Sequence, residues 1–109
     1  MDTNAENVRT QMRKGLLEYC ILSILAKKDA YASSIIDELK AANMIVVEGT
    51  LYPLLIRLKN QGMLSYRWEE SPQGPPRKYY GITPKGGAQL EEMNAAWSEI
   101  VETIKTLKG

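Results

Sequence analysis

The sequence predicts a mainly α-helical fold with one small β-hairpin. Apolar residues recur every three or four positions in the first 62 residues and again after residue 84, which is the helical period. Between residues 64 and 83 they alternate with polar residues around a stretch rich in proline and glycine, which is typical of a hairpin. A chain of 109 residues with 44% hydrophobic content has room for one core. We therefore expect the order helix, helix, helix, hairpin, helix.

The first two helices are predicted on either side of a polar break at residues 27–29. Asn4 can cap a first helix from about Ala5 to Ala26. Gly15 lies inside this helix and indicates either a kink or a close contact with another helix. The second helix is expected from Tyr31 to Ala42, and a short turn joins the two.

A third helix is predicted to begin at Thr50, because Leu51, Leu54, Leu55 and Leu58 follow the spacing i, i+3, i+4 and i+7. Gly62 ends this helix, since glycine readily adopts the left-handed conformation at the residue after a helix. The opposite face is polar, and its side chains can contact phosphates or base edges. The alternative is that this face is simply solvated.

The hairpin follows the third helix. Residues 64–69 form its first strand, and residues 77–83 form its second strand. Prolines in residues 71–76 exclude a central strand there, so we expect a long loop with a cationic tip. Pro84 then opens a last helix with Thr83 as its N-cap, and this helix runs to about Leu107.

Three helices followed by a hairpin is the order of a winged helix-turn-helix domain, whose third helix enters the major groove of DNA. Residues 49–87 hold six lysines and arginines against two acidic residues, although the net charge of the chain is only +1. A local basic face of this kind suits phosphate binding. The predicted DNA contacts on the third helix and the hairpin are Thr50, Tyr52, Arg57, Lys59, Gly74, Arg77 and Lys78. A winged-helix adaptor that binds protein is the alternative, and it would not need this cationic excess.

The last helix has an apolar seam that predicts dimerisation. Its members are spaced three and four residues apart in turn, as in a coiled coil: Leu90, Met93, Trp97, Ile100, Ile104 and Leu107. Val8 and Met12 of the first helix are expected to assist. We accordingly assign residues 1–83 to the winged domain and residues 84–109 to a dimerisation helix. The alternative is that the seam packs back onto its own domain.

Several classes of function are excluded by missing residue types. The chain has no histidine and only one cysteine, so the usual parts of nucleophilic, acid–base and metal sites are absent. We predict no enzyme activity, no metal and no cofactor. The single thiol, Cys20, lies in an apolar run and is expected to be a small buried hydrophobe. Without a signal peptide or a long apolar span, we expect a cytoplasmic protein with no membrane partner.

Three stretches resemble the PadR family of transcriptional regulators: KGLLEYCILSIL at 14–25, GTLYPLLIRLKNQG at 49–62 and ESPQGPPRKYYGITPKG at 70–86. Trp97 and the length of the chain fit its short branch. The resemblance implies a winged-helix domain with a C-terminal dimerisation helix, and most characterised members are repressors. It therefore predicts a homodimeric repressor on a palindromic double-stranded DNA operator, with half-sites roughly 34–36 Å apart.

The resemblance has one departure and one further implication. Where the family commonly shows a Tyr-Gly-Tyr-like segment, this chain keeps Tyr31 without the glycine, and Tyr31 and Ser33 become candidate phosphate contacts near a helix N-terminus. Some members respond to planar aromatic compounds held between paired tryptophans. Trp97, with Met93, is thus a candidate ligand site, and the alternative is that Trp97 fills the dimer interface.

Overall fold

The computed structural model describes residues 3–109, with side chains from residue 7 onward. The described chain contains five helices and a three-stranded sheet, which confirms the predicted mainly helical winged fold. The elements in chain order are α1 (Thr3–Lys14), α2 (Leu17–Lys27), β1 (Ala30–Tyr31), α3 (Ala32–Ala41), α4 (Glu48–Asn60), β2 (Leu64–Ser71), β3 (Gly74–Ile82) and α5 (Pro84–Lys108).

The core lies between α2, α3, α4 and one face of the sheet. Burying one aliphatic side chain contributes about 1.5–3 kcal/mol, so the fully buried residues fix how these elements pack. Helix α4 contributes the fully buried Leu51, Leu55 and Leu58, whereas its Leu54 is only partly buried. The largest fully buried side chains are Ile21, Leu22, Leu25, Ile35, Leu51, Leu55 and Leu58.

The prediction of one helix from Ala5 to Ala26 is wrong, because the chain breaks at Gly15 and Leu16 into α1 and α2. Of the two alternatives for Gly15, the structure supports the interruption of the helix and not the close helix contact, because a Cβ atom there would meet nothing within 4 Å. Residues 7–14 are all exposed, whereas burial begins at Leu17. The break therefore coincides with the start of the core. The helix also begins at Thr3, so that Asn4 is not its cap.

The boundaries of the other helices are close to those predicted. Helix α4 begins two residues before Thr50, and Gly62 follows it with the expected positive φ of 80°. The N-cap of α5 is confirmed, because the Thr83 hydroxyl accepts a hydrogen bond of 3.0 Å from the Gly86 N–H. No helix of the described chain is long and apolar enough to cross a membrane.

The sheet is antiparallel with the order β1-β3-β2. Strand β1 pairs Ala30 with Tyr80 and Tyr31 with Tyr79. It was not predicted, because two residues are too few to show an alternating pattern. Its effect is to tie the start of α3 to the hairpin.

The predicted long loop at residues 71–76 is also wrong. Strand β2 continues to Ser71 and β3 begins at Gly74, which leaves a two-residue turn. Pro75 and Pro76 fit in β3 because β1 pairs only further along, so this part of β3 has one free edge. The register is irregular on the facing strand between Glu69 and Ser71. The tip itself is not cationic, since Arg77 and Lys78 lie back from the turn along β3.

Candidate nucleic-acid interface

Helix α4 is anchored along one side and open along the other. Its buried leucines pack into the core, and at 3.6 residues per turn the opposite side presents Gly49, Pro53, Ile56 and Asn60, all of them exposed. The predicted DNA contacts on α4 lie to either side of this open stripe. The helix thus offers an outer surface with two different flanks.

On the first flank, Thr50 and Arg57 line a groove shared with the end of α1 and with residues 44–47. The Arg57 guanidinium contacts the carboxylate of Glu18 in α2. Arg57 is therefore held by a carboxylate of its own chain, and this ion pair joins α4 to α2. A phosphate contact by Arg57 would compete with that pair.

On the second flank, Tyr52 and Lys59 face the sheet. The Lys59 ammonium lies 5.8 Å from the centroid of the Tyr66 ring in β2. Burial raises the pKa of Tyr80, and the neighbouring Tyr52 and Tyr66 add to this rise. The flank therefore continues directly onto the hairpin.

The hairpin face that meets this flank consists of Tyr66, Trp68, Lys78 and Tyr80, and we call it the α4-side face. Tyr66 pairs with Tyr80 and Trp68 pairs with Lys78 in the strand register. The Lys78 ammonium lies 4.5 Å from the Tyr66 ring centroid and 5.6 Å from that of Trp68. Attraction between the cation and the two rings favours this position of the ammonium group.

The other face of the sheet, which we call the outer face, carries Tyr31, Arg67, Arg77 and Tyr79. The Arg77 guanidinium lies 4.2 Å from the Tyr31 ring centroid, and Arg67 lies 4.5 Å from that of Tyr79. The two tyrosine rings are 4.8 Å apart. These contacts place the two tyrosine rings side by side with one arginine at each end of the row, across β1, β3 and β2.

Carboxylates also reach the outer face. Arg67 donates to Asp29 over 2.8 Å and lies 3.5 Å from Glu69. The hydrogen bond to Asp29 is the main reason that the pKa of Arg67 is raised. Gly81 makes room for this carboxylate, because a Cβ atom there would lie 2.7 Å from Asp29 Oδ1. The positive charge of Arg67 is thus compensated within the chain.

The structure places seven of the nine predicted DNA contacts in three groups, and Ser33 and Gly74 lie apart from them. Thr50 and Arg57 lie on the first flank of α4, and Tyr31 and Arg77 lie on the outer face. The largest group brings helix and hairpin together: Tyr52, Lys59 and Lys78. Ser33 is exposed in the first turn of α3, and Gly74 is exposed at the start of β3.

Sequence reasoning missed the aromatic residues that hold these cations, namely Tyr66, Trp68 and Tyr79, as well as Arg67. The alternation in residues 64–69 placed Tyr66 and Trp68 on one face. It did not show which residues of the second strand face them, because that register depends on the length of the turn, which is two residues and not the long loop that the prolines predict.

The seam of α5 is divided too. Leu90 and Met93 pack against the core of their own domain, as the alternative account expected. At the same level the Tyr19 hydroxyl donates to Asn94 Oδ1 over 2.6 Å. The remaining seam residues are 42–77% exposed: Trp97, Ile100, Ile104 and Leu107. Val8 and Met12 of α1 are exposed as well, so an apolar surface extends beyond the domain.

The comparisons with known proteins agree with this architecture. The model of the transcriptional regulator PadR-like family matches residues 21–92, which is more than half of the chain. A crystal structure of a PadR-like transcription factor from Bacteroides fragilis is 61% identical, with a TM-score of 0.79, over 93% of this chain and 98% of that one.

Two further proteins are more distant. A PadR family regulator from Eggerthella lenta superposes with a TM-score of 0.88 at 31% identity, over 94% of this chain and 90% of its own. A transcriptional regulator of Mycobacterium tuberculosis is 29% identical over 86% of this chain and 87% of its own. Proteins of this family regulate transcription and are not enzymes. The chain belongs to the PadR-like family of DNA-binding transcriptional regulators.

Proposed function

We propose that this protein is a homodimeric repressor that binds a palindromic operator through α4 and the hairpin. The observation that carries the proposal is an exposed side of α4, opposite its buried leucines, that adjoins the cationic α4-side face of the hairpin. Helix and hairpin together form one continuous surface that is positively charged at Lys59 and Lys78. Such a surface fits the major groove and its flanking phosphates.

The dimer is proposed to form through residues 84–109, with help from Val8 and Met12. Beyond Asn94 the helix continues for 14 residues to Lys108, which is about 21 Å at 1.5 Å per residue. Its exposed apolar residues sit at coiled-coil spacing, and pairing them with a second copy removes them from water. A two-fold axis along α5 would then place two α4 helices on half-sites roughly 34–36 Å apart.

Selection of bound fragments from random double-stranded DNA tests the operator. We expect an inverted repeat, and we expect the logarithm of affinity to fall with the logarithm of salt concentration at a slope of roughly −5 to −9 if each protomer neutralises about three to five phosphates. Transcription in vitro from a promoter that contains the site should decrease when the protein is added. No enriched sequence and a slope near zero would favour the protein-binding adaptor instead.

Sedimentation tests the dimer. Ile100→Asp and Ile104→Asp place a charge in the seam and should shift the protein towards monomer. Ser98→Asp adds the same charge at an exposed position outside the seam and should leave the dimer intact. If Ile104→Asp sediments as the wild type does, the seam is not the interface.

The proposal includes a planar aromatic ligand that stacks between the two Trp97 rings and releases the operator. It is supported by the exposure of Trp97 on the unpaired helix and by the adjacent Met93, which is polarisable and half-buried. Dye titration in a Trp68→Phe background isolates the emission of Trp97. Quenching in this background, together with weaker operator binding by the wild-type protein when the same dye is added, would support the site. If no dye of a varied panel quenches the emission, Trp97 serves only to fill the interface.

A further inference from the structure

The two adjacent cations of the hairpin have different environments. Arg77 lies on the outer face against Tyr31, and Lys78 lies on the α4-side face against Tyr66 and Trp68. Successive residues of a strand point to opposite faces, so this separation is a property of the backbone and not of one rotamer. Only one of the two side chains can share a surface with α4.

We propose that the α4-side face is a binding cradle for the DNA backbone, in which Tyr66 and Trp68 hold the Lys78 ammonium ready for a phosphate, while Arg77 stabilises the hairpin without contacting DNA. This inference rests on the proposed function, and it assigns the partner of one face of the hairpin. It adds two aromatic residues to the predicted interface, and it removes Arg77 and Tyr31 from it.

The charges of the two faces support this assignment. On the outer face, two arginines are accompanied by the carboxylates of Asp29 and Glu69, which engage Arg67. On the α4-side face, neither Lys59 nor Lys78 lies within ion-pair distance of a carboxylate of residues 7–109. Arg77 forms no ion pair in residues 7–109 either, but the two carboxylates balance the two arginines of its face, whereas Lys59 and Lys78 have no such carboxylates beside them. The net positive charge is therefore on the side that α4 occupies.

The type of contact matters as well. An aromatic ring attracts a cation electrostatically but does not neutralise it as a carboxylate does. The Lys78 ammonium group therefore keeps its charge, and its N–H donors stay available for phosphate oxygens. A carboxylate partner would occupy these donors, as it does for Arg67. Arg77 also lies against a ring, so it differs from Lys78 in the face it occupies and not in the type of contact. Trp68 is 61% exposed although it is the largest side chain of the hairpin, so its ring is free to pack against deoxyribose beside the bound phosphate.

The matched pair Arg77→Gln and Lys78→Gln tests the assignment. Both variants remove one positive charge from neighbouring positions, so general electrostatic attraction falls equally in both. Glutamine also keeps the first two methylene groups of either side chain. We expect Lys78→Gln to weaken operator binding at least tenfold and to reduce the salt slope of the dimer by about two units, one for each protomer. Arg77→Gln should bind within about threefold of wild type and should unfold at a lower temperature.

Two further measurements do not depend on those variants. Trp68→Ala leaves the charge unchanged, so we expect weaker binding with an unaltered salt slope. In the wild-type protein, acetylation of lysines followed by mass spectrometry should show that operator DNA protects Lys59 and Lys78, whereas Lys105 on α5 reacts equally with and without DNA.

The outcomes separate this inference from the proposed function. If wild type binds no operator, both are overturned. If wild type binds but Arg77→Gln loses as much affinity as Lys78→Gln, or if DNA leaves Lys78 as reactive as before, the assignment of the two faces is overturned while the DNA-binding function stands.

Discussion

Replacing Gly86 by alanine should destabilise the protein, although alanine favours helices. Gly86 lies in the first turn of α5 and its backbone packs against Met63, which precedes β2. A Cβ atom there would lie 2.1 Å from the Met63 carbonyl oxygen and 2.8 Å from Ile82 Cγ1. Since real Cβ atoms do not come closer than 3.0 Å, the start of α5 would have to move by about 1 Å.

The neighbouring Gly87 provides the matched control, because a Cβ atom on it would meet nothing within 4 Å. Gly87→Ala should therefore gain up to about 1 kcal/mol of stability from helix propensity. Gly86→Ala gains the same propensity but must accommodate overpacking that costs about 1–3 kcal/mol or more. It also disturbs the hydrogen bond of 3.0 Å from the Thr83 N–H to the Met63 carbonyl. The two variants should differ by about 2 kcal/mol.

Thermal unfolding followed by circular dichroism measures this difference. The two variants are compared at one protein concentration, because the proposed dimer would gain stability with concentration. A gap of 2 kcal/mol corresponds to roughly 8 °C or more in a domain of this size. Gly86→Ala should also weaken operator binding, since a displaced α5 changes the distance between the two α4 helices. If Gly86→Ala unfolds at or above the temperature of Gly87→Ala, α5 is not held closely against Met63.

Three further predictions concern single contacts. Thr83→Ala removes the N-cap of α5 and the hydrogen bond of 2.6 Å to the Gly62 carbonyl. Urea unfolding should show a free energy of unfolding lower by about 0.5–2 kcal/mol, and a smaller loss for Thr83→Ser, which keeps the hydroxyl. Burial raises the pKa of the Cys20 thiol, so at neutral pH the folded protein should react with iodoacetamide more slowly than the urea-unfolded chain; equal rates by mass spectrometry would contradict this. Glu18→Gln frees Arg57 and should tighten operator binding, measured by fluorescence anisotropy, at a stability cost below about 1 kcal/mol. Glu102→Gln removes the same charge on α5 and should have a smaller effect on binding.

Local sequence signals were sufficient for most of the helical architecture. The leucine spacing of α4 and the glycine after it predicted an anchored helix, because both are properties of a short segment. The cap at Thr83 was equally local. The signals were incomplete where a boundary depended on packing: Gly15 indicated a kink as one alternative, but not that the helix ends there, where the core begins.

The candidate interface was predicted in composition but not in arrangement. Lys59 and Lys78 were identified from charge alone, but their aromatic neighbours were not, since an alternating pattern says which residues share a strand face and not which face meets α4. The two-residue strand β1 was invisible for a related reason: its pairing partner lies almost 50 residues away along the chain.

The sequence by itself determined a winged-helix regulator with a basic centre and an apolar C-terminal seam, because periodicity, caps and charge are encoded within single segments. Only the tertiary structure decided that Arg77 and Lys78 occupy different surfaces, that Arg57 is paired with Glu18, and that Leu90 and Met93 belong to the core while the rest of the seam is exposed. Each of these depends on strand register or helix packing. Such contacts join residues far apart in the chain, and no local pattern specifies them.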